Sequence, residues 1–192
     1  MKNILFWDVE STGFPSWKSP SDSPDQPHLV QLAALLVNAE TRDVIESMDV
    51  IIRPEGWDIP PETTEIHGIS NEQAKSEGIP ETDALQMFIS LWDQCSLRVA
   101  HSTTFDNRMI RIALKRYMPD LISDEVWKDK DLYYCTLQNS KKIIGGRSGH
   151  TLAEAYKHFT GNDMEGAHSA LPDTKACMDI YFKIQDHQKE LI

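Results

Sequence analysis

The chain has 192 residues, which is enough for one domain with its own hydrophobic core, and we expect residues 1–192 to form a single domain. It carries 30 acidic and 19 basic residues, a formal net charge of −11. This charge excludes a broad basic surface for binding polyanions. It does not exclude an enzyme that binds an anionic substrate through metal ions, because a bound cation can dominate the charge of a site.

The cysteines and the lengths of the apolar runs indicate where in the cell the protein is located. Cys95, Cys135 and Cys177 are far apart and form no CxxC pair, so they predict neither a zinc site nor a disulfide framework, and we expect reduced thiols. The apolar run before Asp8 is too short for a signal peptide. The longest apolar run, residues 32–37, is far short of the roughly 20 residues that span a bilayer. We therefore expect a soluble, cytoplasmic protein with no membrane partner.

Residues 4–10 predict a strand that ends in two carboxylates. Side chains alternate between the two faces of a strand, so Asp8 and Glu10 share one face. Both faces are apolar at the start, which is typical of a central strand covered by helices on each side. Two adjacent carboxylates there repel each other and are costly to desolvate, and a divalent cation would compensate them. The alternative is that both acids lie in solvent past the sheet, with Asp8 or Ser11 capping a turn.

Residues 14–27 contain four prolines and four serines and predict an irregular surface loop. We interpret the loop as a connection; the alternative is a flap whose Phe14 or Trp17 stacks on a substrate. Residues 28–38 and 44–53 then predict two strands, and the short link between them predicts an antiparallel hairpin.

The rest of the chain alternates between helical and strand-like segments. We expect helices over residues 61–66, 82–95, 136–144 and 152–159, around residues 109–114 and from about residue 169 to the C-terminus, strands over residues 97–101 and partly over 127–135, and a loop over 145–150. Three antiparallel strands followed by this alternation indicate a mixed α/β domain with helices on both faces.

The final helix begins with an acid on its apolar face. Asp173 heads the apolar stripe that packs on the sheet, so it needs a partner, and His168 precedes it on a loop marked by Gly166. Sites in α/β sheets form beyond the carboxyl ends of the strands, where Asp106 also lies. We therefore expect four acids to converge beside His168, namely Asp8, Glu10, Asp106 and Asp173.

Four carboxylates and a histidine favour metal-dependent phosphoryl chemistry. Hard oxygen ligands suit Mg²⁺ or Mn²⁺, and two such ions about 3.5 to 4 Å apart can stabilise both the attacking and the leaving oxygen. His168 has the intrinsic pKa to accept a proton from the attacking water near neutral pH.

Three stretches, in this order, resemble the motifs of a known family. Residues 6–13 (FWDVESTG) are similar to the first motif of the DEDDh 3′-to-5′ exonucleases, the DnaQ-like group that contains polymerase proofreading subunits and ribonuclease T. Residues 100–106 (AHSTTFD) resemble the second motif, and residues 168–173 (HSALPD) the third. Shorter matches lie at residues 66–70, 135–137 and 151–152. The chain departs from the family at Ser102, where Asn is frequent, and in the length of the loop over residues 14–27.

The resemblance implies a ribonuclease H-like fold with a mixed five-stranded sheet. It implies that Asp8, Glu10 and Asp173 hold one Mg²⁺ or Mn²⁺, that Asp8 and Asp106 reach a second, and that His168 is the general base. The terminal nucleotide would lie against Thr12, Gly13, His67 and Phe105. The implied reaction releases nucleoside 5′-monophosphates from the 3′ end of nucleic acid, with DNA favoured over RNA and single strands among the substrates.

Several interpretations stay open beside this one. A catalytically silent module of the same fold could bind nucleic-acid ends or dock onto a polymerase or repair assembly. We interpret His101 as structural, and His67 either as a helix-end residue or as a substrate contact. The helix after Asp106 has a basic side that is typical of a solvated face but could guide phosphates; it consists of Arg108, Arg111, Lys115 and Arg116.

Overall fold

The structure is a computed structural model that describes residues 2–146 and 148–190. Residue 147 of the predicted loop and residues 191–192 of the predicted final helix lie outside the described residues. Across the described ranges, no helix combines the length and the apolar character needed to cross a membrane.

Five strands form one mixed sheet in the described residues, in the order β3-β2-β1-β4-β5. Strand β1 lies in the centre, antiparallel to β2 and parallel to β4. Strands β2 and β3 form the predicted antiparallel hairpin, and β5 is parallel to β4. The strands are β1 Asn3–Ser11, β2 Leu29–Asn38, β3 Val44–Ile51, β4 Leu97–Ala100 and β5 Tyr133–Cys135.

Eight α-helices surround this sheet in the described residues: α1 Pro61–His67, α2 Asn71–Glu77, α3 Glu81–Trp92, α4 Thr103–Tyr117, α5 Asp124–Lys128, α6 Thr136–Ile144, α7 Leu152–Thr160 and α8 Ala170–Glu190. Local sequence sets several of their ends. The hydroxyl of Ser70 accepts the backbone N–H of Gln73 at the start of α2, and Thr151 forms a capping box with Glu154 at the start of α7.

The alternation of side chains along β1 builds a core on each side of the sheet. Ile4 and Phe6 pack against α8, where the ring of Phe6 lies edge-on to Tyr181 with centroids 5.4 Å apart. Trp7, on the opposite face, packs edge-on against Phe88 of α3. The predicted central strand and the predicted helices on both faces of a mixed five-stranded sheet are therefore confirmed.

The strand expected partly over residues 127–135 is confirmed at β5 and wrong for the beginning of that stretch. Helix α5 occupies the beginning of this stretch, since the hydroxyl of Ser123 caps it by accepting the N–H of Val126. Trp127 then stacks on Trp92 with ring centroids 5.0 Å apart, so its apolar side chain completes the core from a helix. The strand is limited to β5. Elsewhere the predictions miss element ends by a few residues, as at α3, which ends at Trp92.

Candidate active site

Strand β1 holds Asp8 and Glu10 on the face that α8 covers. Asp8 is paired with Ala33 inside the β1–β2 ladder, which extends to a bulge just after Glu10. Asp8 therefore does not lie in solvent past the end of the sheet, as the alternative interpretation required. The turn that follows is fixed locally, because the backbone N–H of Thr12 donates to the carbonyl of His28 over 3.0 Å and the Thr12 hydroxyl accepts the His28 N–H over 3.0 Å.

Helix α8 brings a third acid to this pair. Asp173 lies in the first turn of α8, and one carboxylate oxygen of each of Asp8, Glu10 and Asp173 lies within 4.8 Å of the other two. The Oδ1 atom of Asp173 is buried and has no hydrogen-bond partner among the described residues. Three acids from two elements of the fold thus converge without a cation of the protein between them in the described part of the chain.

Asp106 approaches from the other face of the sheet. It lies in the first turn of α4, it is buried, and its charge repels Asp8, Glu10 and Asp173. It is not part of the tight group of three. The predicted four acids therefore lie in one neighbourhood as a group of three with a fourth beside it.

Burial makes each of these acids harder to ionise than a free carboxyl group. Burial raises the pKa of Asp8 well above its usual range, and the charges of Asp106, Asp173 and Glu10 raise it further. Burial is also the main reason why the pKa is about 7 for Glu10, about 8 for Asp106 and about 6 for Asp173. A bound divalent cation reverses this preference by stabilising the ionised form. Because the donor atoms are hard carboxylate oxygens, the group fits Mg²⁺ or Mn²⁺.

His168 lies beside the carboxylates on an exposed loop. Its backbone has a φ of 65°, a left-handed conformation that is uncommon for a residue with a side chain. Its backbone and its imidazole both lower the pKa of Asp173, against the larger effect of burial. The predicted histidine is thus next to the acid group and free to contact solvent.

The four predicted substrate contacts line one cavity next to the acids. This cavity, which we name the Phe105 cavity, has a volume of about 310 Å³, and its lining includes Glu10, Thr12, Gly13, His67 and Phe105. Phe14, 86% exposed, lies edge-on to Phe105 with ring centroids 5.8 Å apart. His67 lies at the end of α1, where Nδ1 accepts the N–H of Ile69, and it also lines the cavity; its role as a substrate contact stays a prediction.

Comparison with known proteins assigns the family. A family model described as Exonuclease, of the ribonuclease T type, matches residues 5–181, which contain all five predicted catalytic residues. The chain belongs to this exonuclease family. The recognition of the family from the sequence motifs is confirmed. By family, the chain is a nuclease, and the family is metal-dependent. A search of curated proteins finds no match.

The fold of this exonuclease is similar to that of exonuclease I. A solved structure of exonuclease I has a TM-score of 0.76 at 19% identity, and that of Escherichia coli exonuclease I with a dT13 oligonucleotide has 0.75 at 20%. A zinc-bound form of the E. coli exonuclease I complex with single-stranded DNA has 0.76 at 19%. Each match covers 100% of this chain and 42% of the solved chain. The predicted ribonuclease H-like fold is confirmed.

A histidine in the second exonuclease motif has a structural role, as predicted. His101 lies with Nδ1 3.0 Å from the hydroxyl of Thr136 and Nε2 3.0 Å from the carbonyl of His150. It therefore ties the end of β4 to α6 and to the loop before α7. Ser102, which replaces the frequent Asn of the family, contributes its backbone carbonyl, which accepts the N–H groups of Phe105 and Asp106.

The basic side of α4 in this exonuclease is not a solvated face, and that interpretation was wrong. Arg108 donates to the hydroxyl of Ser21 over 2.7 Å, and Arg116 donates to the carbonyl of Gln26 over 2.7 Å. Arg111 is bound to both carboxylate oxygens of Asp124 at 2.8 Å. The arginines of α4 are therefore engaged by the protein itself.

Sequence reasoning missed Gln26, which organises the loop over residues 14–27. Its side chain is buried, with 2% of the residue exposed. The Oε1 atom accepts the N–H of Ser16, and Nε2 donates to the carbonyls of Ser16, Ser19 and Pro20. Gln26 and Arg108 thus hold the loop from two sides, which favours the interpretation as a fixed connection over that of a flap. A polar residue between two prolines carries no pattern that would have revealed this.

Proposed function

We propose that the protein is a metal-dependent 3′-to-5′ exonuclease that releases nucleoside 5′-monophosphates from nucleic acid. The observation that carries the proposal is the convergence of Asp8, Glu10 and Asp173 within 4.8 Å, with Asp106 beside them. Four acids that repel each other destabilise the fold unless a cation joins them, so a functional reason for their presence is required.

The carboxylates would hold two divalent cations, Mg²⁺ or Mn²⁺. Asp8, Glu10 and Asp173 would hold one, and Asp8 and Asp106 the other. When bound, such ions stabilise the charge that develops on the attacking and leaving oxygens of a phosphodiester. The fold holds the carboxylates in fixed positions, because Asp8 lies inside a paired strand and Asp106 and Asp173 each lie in the first turn of a helix.

His168 would act as the general base. Its exposed ring lies beside Asp173, where it would accept a proton from the attacking water. The Phe105 cavity would take the nucleotide at the 3′ end, against Thr12, Gly13, His67 and Phe105. These four contacts follow the resemblance between the motifs of this chain and those of the DEDDh exonucleases, whereas Phe14 is added because it lies edge-on to Phe105.

We propose DNA as the preferred polymer and single strands among the substrates. The solved exonuclease I structures with a similar fold hold dT13 or other single-stranded DNA, and one holds the C-terminal peptide of a single-strand-binding protein. A replication or repair assembly is accordingly a proposed partner of this chain. We also propose that residues 1–192 act as one domain and that the protein is cytoplasmic.

The test is digestion of 5′-labelled single-stranded and duplex DNA and RNA with Mg²⁺, Mn²⁺ or EDTA. We expect a ladder that shortens from the 3′ end, requires the metal and runs fastest on DNA. Asp8→Asn should abolish it, because the substitution removes a ligand that both cations share. Asp93→Asn is the matched control, since Asp93 is exposed at the end of α3 and should leave cleavage unchanged.

Two other outcomes would change the conclusion. Cleavage that starts at the 5′ end or within the strand would overturn the direction while keeping a nuclease. No cleavage of any polymer by the folded protein would favour the alternative from the sequence, a silent module that binds nucleic-acid ends or docks onto a replication or repair partner.

A further inference from the structure

A second cavity lies on the other side of the first turn of α4. It has a volume of about 510 Å³, and its lining includes Thr103, Thr104, Asn107, Lys128, Lys130 and Tyr133. We name it the β5 cavity. It shares no lining residue with the Phe105 cavity, although both use side chains from the beginning of α4. Asp106 belongs to the same first turn of α4, so both cavities adjoin the helix start that carries this acid.

The charge of the β5 cavity is opposite to that of the chain. The net charge of the protein is −11, yet no acidic residue lines this cavity and two lysines do. Lys128 lies 3.2 Å from Asp124, whereas Lys130 is exposed and has no ion pair among the described residues. Asp129, next to it, accepts the backbone N–H of Asp131 and does not line the cavity. Lys130 is thus available to an anionic ligand.

The first turn of α4 adds hydrogen-bond donors. The backbone N–H groups of Thr103 and Thr104 have no intrahelical acceptor, and the side chain of Ser102 does not cap them. Asn107 also lines the cavity, and its side-chain NH2 group, which forms no hydrogen bond with the described residues, is a further donor. Free N–H groups at a helix start favour anions such as phosphate, and α4 is 15 residues long.

Aromatic rings complete the lining. Tyr133 is partly exposed and lines the cavity, whereas Trp127, which also lines it, is buried and stacks on Trp92. An aromatic ring beside cations and phosphate-binding donors is the combination that binds single-stranded nucleic acid, because unpaired bases can stack on it. A paired base offers no free face for such stacking.

We propose that the β5 cavity binds the single-stranded segment on the 5′ side of the cleaved phosphodiester. This inference rests on the proposed exonuclease function, since it defines the segment by the bond that is cleaved beside Asp8. The strand passes the first turn of α4 with its terminal nucleotide in the Phe105 cavity. Its upstream phosphates contact Lys130 and the N–H groups of Thr103 and Thr104, and an upstream base stacks against Tyr133.

The first arm of the test measures binding without cleavage. Affinity for 5′-fluorescein-labelled dT12 is measured by anisotropy in Mg²⁺, on the Asp8→Asn background. We expect Lys130→Ala to weaken binding about three- to tenfold and to reduce the slope of log Kd against log salt by about 0.7, the value for one lost contact with a single-strand phosphate. Lys183→Ala, an exposed lysine of α8, is the matched control and should change neither quantity.

The second arm separates this inference from the exonuclease proposal. On the wild-type background, Lys130→Ala should raise KM for dT12 and leave the hydrolysis of the dinucleotide pTpT unchanged, because a dinucleotide does not reach the β5 cavity. If Lys130→Ala and Lys183→Ala bind dT12 equally well, or if dT12 does not bind at all, the inference is overturned whatever the hydrolysis shows. If Lys130→Ala weakens binding but the wild type hydrolyses neither substrate, the β5 cavity remains a single-strand site and the exonuclease proposal fails.

Discussion

Removal of one carboxylate from the active site should stabilise the protein when no metal is present. Glu10 is the suitable position, because it belongs to the group of three acids but lies near the end of β1, where an amide of the same shape fits. We predict that Glu10→Gln raises the melting temperature in EDTA at pH 8. A substitution that improves stability while removing a metal ligand distinguishes a metal site from a structural cluster.

The magnitude follows from the pKa of Glu10, which rises from 4.5 to about 7, mainly through burial and further through the charge of Asp173. Each pKa unit corresponds to about 1.4 kcal/mol, so the ionised carboxylate destabilises the fold by up to about 3 kcal/mol above pH 7. For a chain of this size, 1 kcal/mol changes the melting temperature by about 2 to 4 °C. The expected increase is therefore up to about 10 °C at pH 8.

The pH dependence of stability determines whether Glu10→Gln stabilises or destabilises the protein. Because the pKa of Glu10 is higher in the folded state, the folded protein binds more protons than the unfolded chain between about pH 4.5 and 7. The stability that this group contributes is present below pH 4.5 and is lost as the pH rises through about 7. Glutamine does not titrate, so the difference between variant and wild type should be small at pH 5 and large at pH 8.

The assay is thermal unfolding in EDTA at pH 5 and pH 8, repeated with Mg²⁺. Magnesium at a thousand times its Kd should reverse the order at pH 8, since it stabilises the wild type by about 4.1 kcal/mol, more than the advantage of the variant in EDTA, and Glu10→Gln binds it less well. Glu46→Gln, on the exposed surface of β3, is the control. A lower melting temperature for Glu10→Gln in EDTA at pH 8, or an equal difference at both pH values, would contradict the reasoning.

Three further predictions concern the base, the ligands and the loop. His168→Ala should lower kcat by about 10² to 10⁴ while Mg²⁺ still raises the melting temperature; loss of that rise would make His168 a ligand. Calorimetry should show that Mg²⁺ affinity falls at least about tenfold from pH 8 to pH 6, because protons compete for Glu10 and Asp106, with pKa values of about 7 and about 8; equal affinities would contradict this. Gln26→Leu should lower the free energy of unfolding in urea by about 1 to 3 kcal/mol, because the backbone N–H and carbonyl of Ser16 lose their hydrogen-bond partner. Gln188→Leu, at an exposed position, should not lower it.

The parts of the structure that the sequence predicted correctly depend on short-range periodicity. The two-residue period of β1 placed Asp8 and Glu10 on the face opposite Trp7, and the helical period of α8 placed Asp173 toward the sheet. A carboxylate in an apolar pattern is a local conflict, and such conflicts are expected at functional sites. That is why the acids could be recognised before their contacts were known.

The parts that could not be predicted depend on contacts between distant segments. Arg108 and Gln26 are 82 positions apart, yet they hold the same loop through the carbonyls of Ser16 and Ser19. Nothing in the helical pattern of α4 distinguishes an arginine that points into solvent from one that binds a neighbouring loop. The same limitation explains the error at α5, where the position of Trp92 on another helix decides the conformation around Trp127.

The internal use of the α4 arginines has a consequence for how an acidic chain binds a polyanion. With a net charge of −11, the chain as a whole repels nucleic acid, and the α4 arginines are bound to the loop and to Asp124 and not directed at the acids. Positive charge beside the proposed strand path would come from the cations that the acids would hold and from the lysines of the β5 cavity. Affinity for a strand should therefore depend on divalent cations more steeply than on monovalent salt, since the cations neutralise the acids that would otherwise repel the phosphates.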